Sequence, residues 1–485
     1  MKNKFFLNQT EPNNLSLKEK LIFLLKDTLF FGGIKGISMV FPLITIPVLT
    51  SHFSIKNYGL YENLMIIASF ISTFLILAQD SAVARWYYEV TNFEERKKII
   101  STSFLLQIFL IIVLVPFLLW FSSRISLYYY NTAEFSNHFR IIFLLSGPLV
   151  LLNFSINILK WTFRRKKFLI VTIMNPLLIF ISIIVSKHQH LTLYNTLNLV
   201  LVAQILSSII AISYTLRWIS FSSFSFFFLK KLFIYGIPLC LISLSAAILP
   251  LIDRKFIVDV LSFDDLGNYS LAYKIGGFYL IFEGIFQMAW GPFSLSIFKE
   301  KDAQKVYNII FKLYVFFSII IIGIISEFSI IITELIGNFK YESNQSIIFL
   351  ILISFSYSSL NYLSNIGINL SLKSYLHIIS HLFSLIVFTL SLYYFVSSHG
   401  LVGVGFSLVL SSISKFIAGS VIARMNYKKI IIKWERPSLI FSLWIIFYFL
   451  ALKFDFNYLL KFSSLAFVFI LIYKRKEIRA VKNFF

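Results

Sequence analysis

Charged side chains fall where an apolar chain should not tolerate them. Lys35, Asp80, Arg85, Asp253, Arg254, Lys255, Lys274, Glu283, Lys312 and Lys415 lie inside or at the edges of long apolar runs. In hydrocarbon such a group costs from about 2.5 to more than 10 kcal/mol, so it usually faces a wet cavity or a partner. The cations Lys35, Arg85, Arg254 and Lys274 could hold an anionic ligand, and Arg offers phosphate a planar donor fork. The carboxylates Asp80, Asp253 and Glu283 are the places where H+ or Na+ could be taken up. Asp253 and Arg254 are neighbours that point about 100° apart on a helix, so they need not pair with each other. Lys274 and Glu283 lie on nearly opposite faces of a straight helix, although Gly276-Gly277 between them permits a bend.

Two polar stripes recur at helical spacing, Asn153, Asn157 and Lys160, then Ser354, Ser358, Asn361, Asn365 and Asn369. Such stripes either hydrogen-bond between helices or face a polar ligand. His377 and His381 are spaced i,i+4 but lack a visible third ligand, so a packed pair is expected there and no metal site. The single cysteine, Cys240, permits neither an intrachain disulfide nor a cysteine metal site. No HExxH, GxSxG or paired catalytic carboxylates occur, so neither an enzyme nor a cofactor is expected. The absence of GxxxxGK[ST] excludes an ATP-driven pump within one chain.

Membrane helices are the elements that must position these residues. The 485-residue chain is 58% apolar and 14% charged, against about 45–50% and 25% in ordinary soluble proteins. A helical span needs about 20 mostly apolar residues. Fourteen such spans are expected near 29–51, 60–82, 99–121, 139–160, 168–186, 194–219, 232–256, 268–291, 306–327, 345–367, 374–396, 401–423, 438–452 and 457–473. Continuous runs such as Ile319 to Ile322 exclude the alternation of a membrane β-barrel. The net charge of +22 is scattered in short clusters between these runs. It forms no contiguous basic stripe, so no nucleic-acid partner is expected.

Charge in the gaps sets the orientation. With the N-terminus inside, the outer gaps carry Lys56, Arg124, Lys187, Lys340 and Lys453, while clusters such as Arg164-Arg165-Lys166-Lys167 fall on the cytoplasmic side. Both termini are then cytoplasmic. The polar stretch Met1 to Glu19 lacks the apolar core of a secretory signal and reads as a retained tail. Every gap is too short for an extramembrane domain.

A repeat appears 208 residues apart: Ser54-Ile55-Lys56-Asn57-Tyr58-Gly59-Leu60-Tyr61 matches Ser262-Phe263-Asp264-Asp265-Leu266-Gly267-Asn268-Tyr269 as S-x-x-x-x-G-x-Y. Pro42 and Pro250, and Phe70 and Phe278, align at the same offset. Six spans separate the copies, an even number, so the halves share one orientation. Parallel repeats about an axis along the membrane normal are a transporter plan. Prolines 42, 47, 238 and 250 interrupt spans one and seven at related places and permit bending there.

The chain resembles the lipid-linked oligosaccharide (O-antigen-type) flippases of the multidrug/oligosaccharidyl-lipid/polysaccharide exporter superfamily. The resemblance rests on the G-x-Y loop after the first span and on Asp80-Ser81-Ala82-Val83-Ala84-Arg85 closing the second. It rests also on Asp253-Arg254-Lys255-Phe256-Ile257, similar to a D-R-[FY]-hydrophobic element with Lys255 intruding. It implies an all-α polytopic protein of about 14 transmembrane helices. Two parallel-repeat six-helix lobes, residues 28–220 and 221–427, would follow a cytoplasmic tail (1–27) and precede an accessory helix pair with a basic tail (428–485). It implies alternating access in a bacterial inner membrane, with a polyprenyl-diphosphate-linked oligosaccharide as the substrate, such as an O-antigen unit for lipopolysaccharide.

Lys35, Arg254, Lys274 and Arg85 would then contact the headgroup. Glu283, Asp80 and Asp253 would couple H+ or Na+, while Asn361, Asn365, Asn153 and Asn157 would touch the glycan. The partners implied are that substrate, membrane lipid and polysaccharide assembly machinery. A lipid II flippase or a multidrug or cation exporter of the same superfamily is the alternative within transport. A membrane glycosyltransferase or glycan polymerase is the alternative outside it, and would place a catalytic acid at the membrane surface.

Overall fold

The structure, a computed structural model, describes Gly33, Ser38 and residues 40–454 apart from 299, 301, 343 and 372. Among these residues every regular element is a helix. In chain order the α-helices are α1 (Val40–His52), α2 (Ile55–Ile76), α3 (Gln79–Glu89), α4 (Phe93–Trp120), α5 (Ser122–Tyr130), α6 (Ser136–Trp161), α7 (Arg165–His188) and α8 (Leu193–Ser213). They continue as α9 (Phe226–Ala247), α10 (Leu249–Val260), α11 (Phe263–Gly276), α12 (Tyr279–Ile297), α13 (Ala303–Gly337), α14 (Gln345–Ser364), α15 (Ile366–Leu370), α16 (His377–Asn426) and α17 (Glu435–Lys453). Each expected span up to the thirteenth coincides with helix, the first from Val40 onward. The fourteenth, 457–473, lies outside the described residues.

Ten stretches among the described residues are long and apolar enough to cross a membrane. Their outward faces agree. Phe109, Ile112, Val113, Phe117 and Trp120 run exposed along α4, with Trp120 81% exposed, an apolar strip that lipid tolerates and water does not. The chain is a multi-pass membrane protein of the all-α class.

Helix starts follow local chemistry. Ser54 Oγ accepts from Asn57 N at 3.3 Å to cap α2. Ser262 Oγ accepts from Asp265 N at 3.0 Å to cap α11, and donates back to Asp265 Oδ2 at 2.6 Å. The repeated serine is thus an N-cap in both copies. Spans eleven and twelve are the two halves of α16, folded back at Gly400, whose φ of 55° suits a residue without a Cβ. Ser411 Oγ donates to Ser384 O across that hairpin at 3.0 Å.

Four spans are broken, the tenth at Asn365 between α14 and α15. The seventh divides into α9 and α10 at Ile248, with Pro250 in the first turn of α10, where its missing N–H costs no helix bond. The eighth divides into α11 and α12 after Gly276, at the pair expected to permit a bend. The break of the second, between α2 and α3, was not foreseen. Leu77 and Ala78 have φ of 50° and 51°, in the left-handed region that costs a non-glycine residue roughly 1–2 kcal/mol, and no glycine or proline marks the place.

The chain divides into two compact units, Met1–Gly267 and Asn268–Phe485. In the first, α6 packs on α2, α4, α5 and α8, and α7 packs on α8. The resemblance implies a lobe boundary at 220. The division by packing falls later, because α9 lies against α2, α3 and α4 and α10 against α2 and α5. In the second unit α14 is the central helix, packed on α12, α13, α16 and α17.

Candidate functional site

In the first unit the break between α2 and α3 lies at a small cavity lined by Ile76, Gln79, Asp80, Val83, Ser103, Gln107, Asn153, Phe154, Asn157 and Trp161. α3 contributes Asp80 from its first turn, where the positive end of the helix dipole favours a carboxylate. α6 contributes Asn153 and Asn157 one turn apart, and Asn157 Nδ2 donates to Asn153 Oδ1 at 2.9 Å. Three residues singled out in the sequence therefore share one cavity. Gln79, Ser103 and Gln107 were not among them, yet they are at most 2% exposed. A glutamine amid apolar residues, as in Phe104-Leu105-Leu106-Gln107-Ile108-Phe109, is the signal that could have found them.

Arg85 is one turn further along α3. Its side chain is 57% exposed and pairs with Glu89 Oε1 at 3.0 Å, an i,i+4 surface pair that contributes little. Lys35 lies outside the described residues.

The sequence leaves open whether Asp253 and Arg254 pair, and the structure pairs them. Arg254 Nη1 lies 2.9 Å from Asp253 Oδ1 and donates to Pro250 O at 3.1 Å, with both residues 1% exposed. The long Arg side chain folds back along α10 and overcomes the angular offset of neighbouring positions. A buried charge needs its counter-ion close by. Arg254 is thus held as one half of a buried ion pair, and Asp253 as the other. The intruding Lys255 pairs separately with Asp259, one turn on.

In the second unit Lys274 sits half-buried in the last turn of α11. Glu283 of α12 accepts from Gln287 Nε2 at 2.6 Å, and Ser359 of α14 and the Lys415 ammonium of α16 face it. Lys415 also acts on His377 and His381 from the other half of α16. His377 Nε2 lies 2.9 Å from Asn369 Oδ1. The sequence singled out these ionisable groups one by one, and the fold gathers them around Lys415.

Asn361 and Asn365 are 6% and 2% exposed, packed against Gly419 of α16. In this conformation both are interior packing residues of the second unit. Ser354 Oγ of the same stripe donates to Leu408 O at 3.2 Å, an interhelical hydrogen bond.

Comparison with known proteins bears on this arrangement. The family model described as "Polysaccharide biosynthesis protein" matches residues 24–293, and no curated protein sequence matches the chain. Among solved structures, the lipid II flippase MurJ in an inward closed conformation has 16% identity and a TM-score of 0.69, covering 92% of this chain and 98% of its own. An inward-facing multidrug resistance MATE family transporter of the MOP superfamily has 13% identity and a TM-score of 0.65, covering 82% and 97%. A MOP superfamily transporter from Pyrococcus furiosus has 16% identity and a TM-score of 0.54, covering 83% and 94%. At these identities the likeness is one of fold. The family match spans more than half of the sequence, from the first expected span into α12 and through the Asp80 cavity, the Asp253–Arg254 pair and Glu283, so the chain belongs to the polysaccharide biosynthesis protein family.

Proposed function

We propose that this protein flips a polyprenyl-diphosphate-linked oligosaccharide, an O-antigen or similar repeat unit, from the cytoplasmic to the outer leaflet of a bacterial inner membrane by alternating access. Membership in the polysaccharide biosynthesis family carries this reading. The charged and amide side chains within apolar helices support it, because a membrane protein keeps such groups where a polar substrate or ion needs them. Both termini are proposed to be cytoplasmic, and the flipped product to pass to polysaccharide assembly machinery.

In this reading Lys35 and Lys274 supply positive charge to the diphosphate. Arg254 joins them by exchanging one anionic partner for another, releasing the Asp253 carboxylate for a phosphate oxygen. Asn153 and Asn157, at the mouth of the Asp80 cavity, are the proposed glycan contacts. Depletion of the protein in its host should accumulate polyprenyl-linked glycan facing the cytoplasm, read by accessibility to a membrane-impermeant sugar-modifying enzyme. Normal surface glycan after depletion would refute the proposal. A lipid II substrate is the second reading, favoured by the high mutual coverage with the lipid II flippase fold. In that case the accumulating lipid carries the peptidoglycan unit.

Glu283 is the proposed coupling carboxylate of the second unit. Glu283→Gln preserves the shape of the Gln287 contact while removing the exchangeable charge. It should abolish gradient-driven transport with membrane abundance unchanged, and wild-type transport by the variant would remove Glu283 from the coupling scheme.

A further inference from the structure

Between α8 and α9 the chain carries apolar side chains where no helix spans the membrane. Two short 3-10 turns, Leu216–Trp218 and Phe221–Ser223, occupy this connector. Leu216 is 58% exposed and Phe221 77%, and Phe226, which opens α9, is 78% exposed. Irregular backbone is not tolerated against hydrocarbon, and a row of exposed rings is a liability in water. The membrane interface satisfies both, with rings sunk below the headgroups and cations level with the phosphates.

The connector is built onto the first unit. Ser101 Oγ of α4 donates to Trp218 O at 3.1 Å and accepts from Ser220 N at 3.0 Å, while Thr102 Oγ1 accepts from Ser225 N at 3.1 Å. Trp218 is buried, its ring centroid 4.9 Å from that of Phe93 and 6.0 Å from that of Tyr87. A surface fixed in advance loses little freedom when a ligand arrives.

Aromatic rings hold cations along it. The Arg217 guanidinium lies 5.2 Å from the Trp218 ring centroid and 5.5 Å from that of Phe93. Lys167 Nζ lies over Tyr214 at 4.8 Å, and Lys231 Nζ over Phe227 at 4.3 Å. A ring positions a cation without neutralising it. Arg164, in the α6–α7 turn, is close enough to Arg217 for the two guanidinium groups to repel each other. The fold thus brings like charges together, and an anion between them relieves the repulsion. The sequence carries no Asp or Glu between Glu134 and Asp253. Glu89, Glu94 and Glu95, at the neighbouring α3–α4 turn, are interspersed with Arg85, Arg96, Lys97 and Lys98.

We propose that the α8–α9 connector and the α6–α7 turn form a seat for an anionic phospholipid of the surrounding leaflet, its phosphate between the Arg164 and Arg217 guanidinium groups and its acyl chains against the exposed rings. Guanidinium matches phosphate oxygens through a planar donor fork. A zwitterionic lipid offers the same phosphate, but its ammonium group would meet the repulsion that the two arginines already impose on each other. Free phosphate would satisfy the arginines and leave the rings uncovered. In the orientation proposed above this face is cytoplasmic, where anionic lipids attract basic segments. The inference goes beyond the transport reading, because this lipid is a resident partner and not the cargo.

The test titrates the purified full chain in detergent with phosphatidylglycerol, or with phosphatidylcholine of the same acyl chains, and counts bound lipids by native mass spectrometry. Phosphatidylglycerol should bind about tenfold tighter or more, since each basic residue at an anionic surface contributes about fivefold. The preference should shrink as ammonium acetate is raised. Arg217→Gln should lose about fivefold of it, and Arg164→Gln combined with Arg217→Gln nearly all of it. Phe221→Ser combined with Phe226→Ser should weaken both lipids. Arg124→Gln, an exposed position beyond the far end of α4, should change neither.

Equal binding of the two lipids by the wild type, the outcome expected if another protein segment covers the rings, would overturn the proposal. So would an undiminished preference in Arg217→Gln. Displacement of phosphatidylglycerol by inorganic phosphate would mark a free-anion site, and displacement by an equal concentration of farnesyl diphosphate would mark a substrate port; either result refutes a phospholipid seat. If the double arginine variant does not fold, Arg217→Gln decides by itself. Lipid preference is read with no glycan-linked lipid present, so a flippase without the preference would defeat only this inference. A chain that shows the preference and flips nothing would defeat only the transport reading.

Discussion

Gly59→Val should yield a chain that fails to reach a native, monodisperse state in detergent or nanodiscs. Within the first unit the two glycines of the repeated motif touch one another. A Cβ at Gly59 would stand 2.5 Å from Gly267 N and 2.8 Å from Gly267 Cα, and a Cβ at Gly267 would collide with Ile55 O. These obstacles are backbone atoms, which cannot swing aside as a side chain can. Overpacking in a core costs about 1–3 kcal/mol when side chains can adjust. Gly59→Ala should therefore cost about 3 kcal/mol or more, and valine should exceed that.

Gly323→Ala is the matched control. It also sits inside a helix, but a Cβ there meets nothing within 4 Å. Alanine should stabilise it by about 0.5–1 kcal/mol through helix propensity. Thermal unfolding monitored by size-exclusion recovery compares the variants. A Gly59→Ala protein as stable as wild type would show that α2 and the start of α11 do not meet as described. Small residues let membrane helices approach backbone to backbone, which is the physical content of the G in S-x-x-x-x-G-x-Y.

Asp253→Asn should be the most damaging single charge change. It removes the carboxylate that lies 2.9 Å from the Arg254 guanidinium, a group at 1% exposure. Removing one partner of a buried pair costs about 3–5 kcal/mol, because an uncompensated charge remains inside. Replacing both partners with apolar residues of similar volume is often neutral. Asp253→Leu combined with Arg254→Met should therefore recover most of the lost stability, and comparable losses in the single and double variants would contradict this account. Flipping distinguishes the roles further, since the double variant should fold and yet lose any contribution of Arg254 to the headgroup. Arg85→Ala, which removes half of a surface pair, should shift stability by about 0–1 kcal/mol.

Much of this architecture was legible in the chain. The span positions emerged from apolar run length, and helices lie at all of them within the described residues. The Gly276-Gly277 bend was foreseen and observed. The repeat was found on few identities, and each of its three shared residues does something visible in the fold. The serine caps a helix, the glycine permits close approach, and the tyrosine is buried, with Tyr61 and Tyr269 at 4% and 0% exposure. The site was less legible. Asp80 was picked out from the second expected span and Asn153 and Asn157 from the fourth, and only the structure brings them into one cavity with Gln79 and Gln107. Asn361 and Asn365 sit on a correct polar stripe that turned inward. The second-span break at Leu77-Ala78 left no mark at all.

The division has a physical cause. In a bilayer each spanning segment must satisfy its backbone hydrogen bonds internally, so a window of about 20 residues decides whether it spans. That is a local property, and the amino-acid sequence alone determined the helices, their breaks at glycine and proline, and the chain's apolar exterior. Which polar side chains share a cavity depends on how each helix is rotated and which neighbours it meets. That is set by packing between segments distant in the chain, as when Gly59 meets Gly267 or α6 faces α3. The tertiary structure alone therefore decided that Arg254 folds onto Asp253, that Lys415 gathers Glu283 and the two histidines, and that Asp80 shares a cavity with Gln79, Ser103 and Gln107.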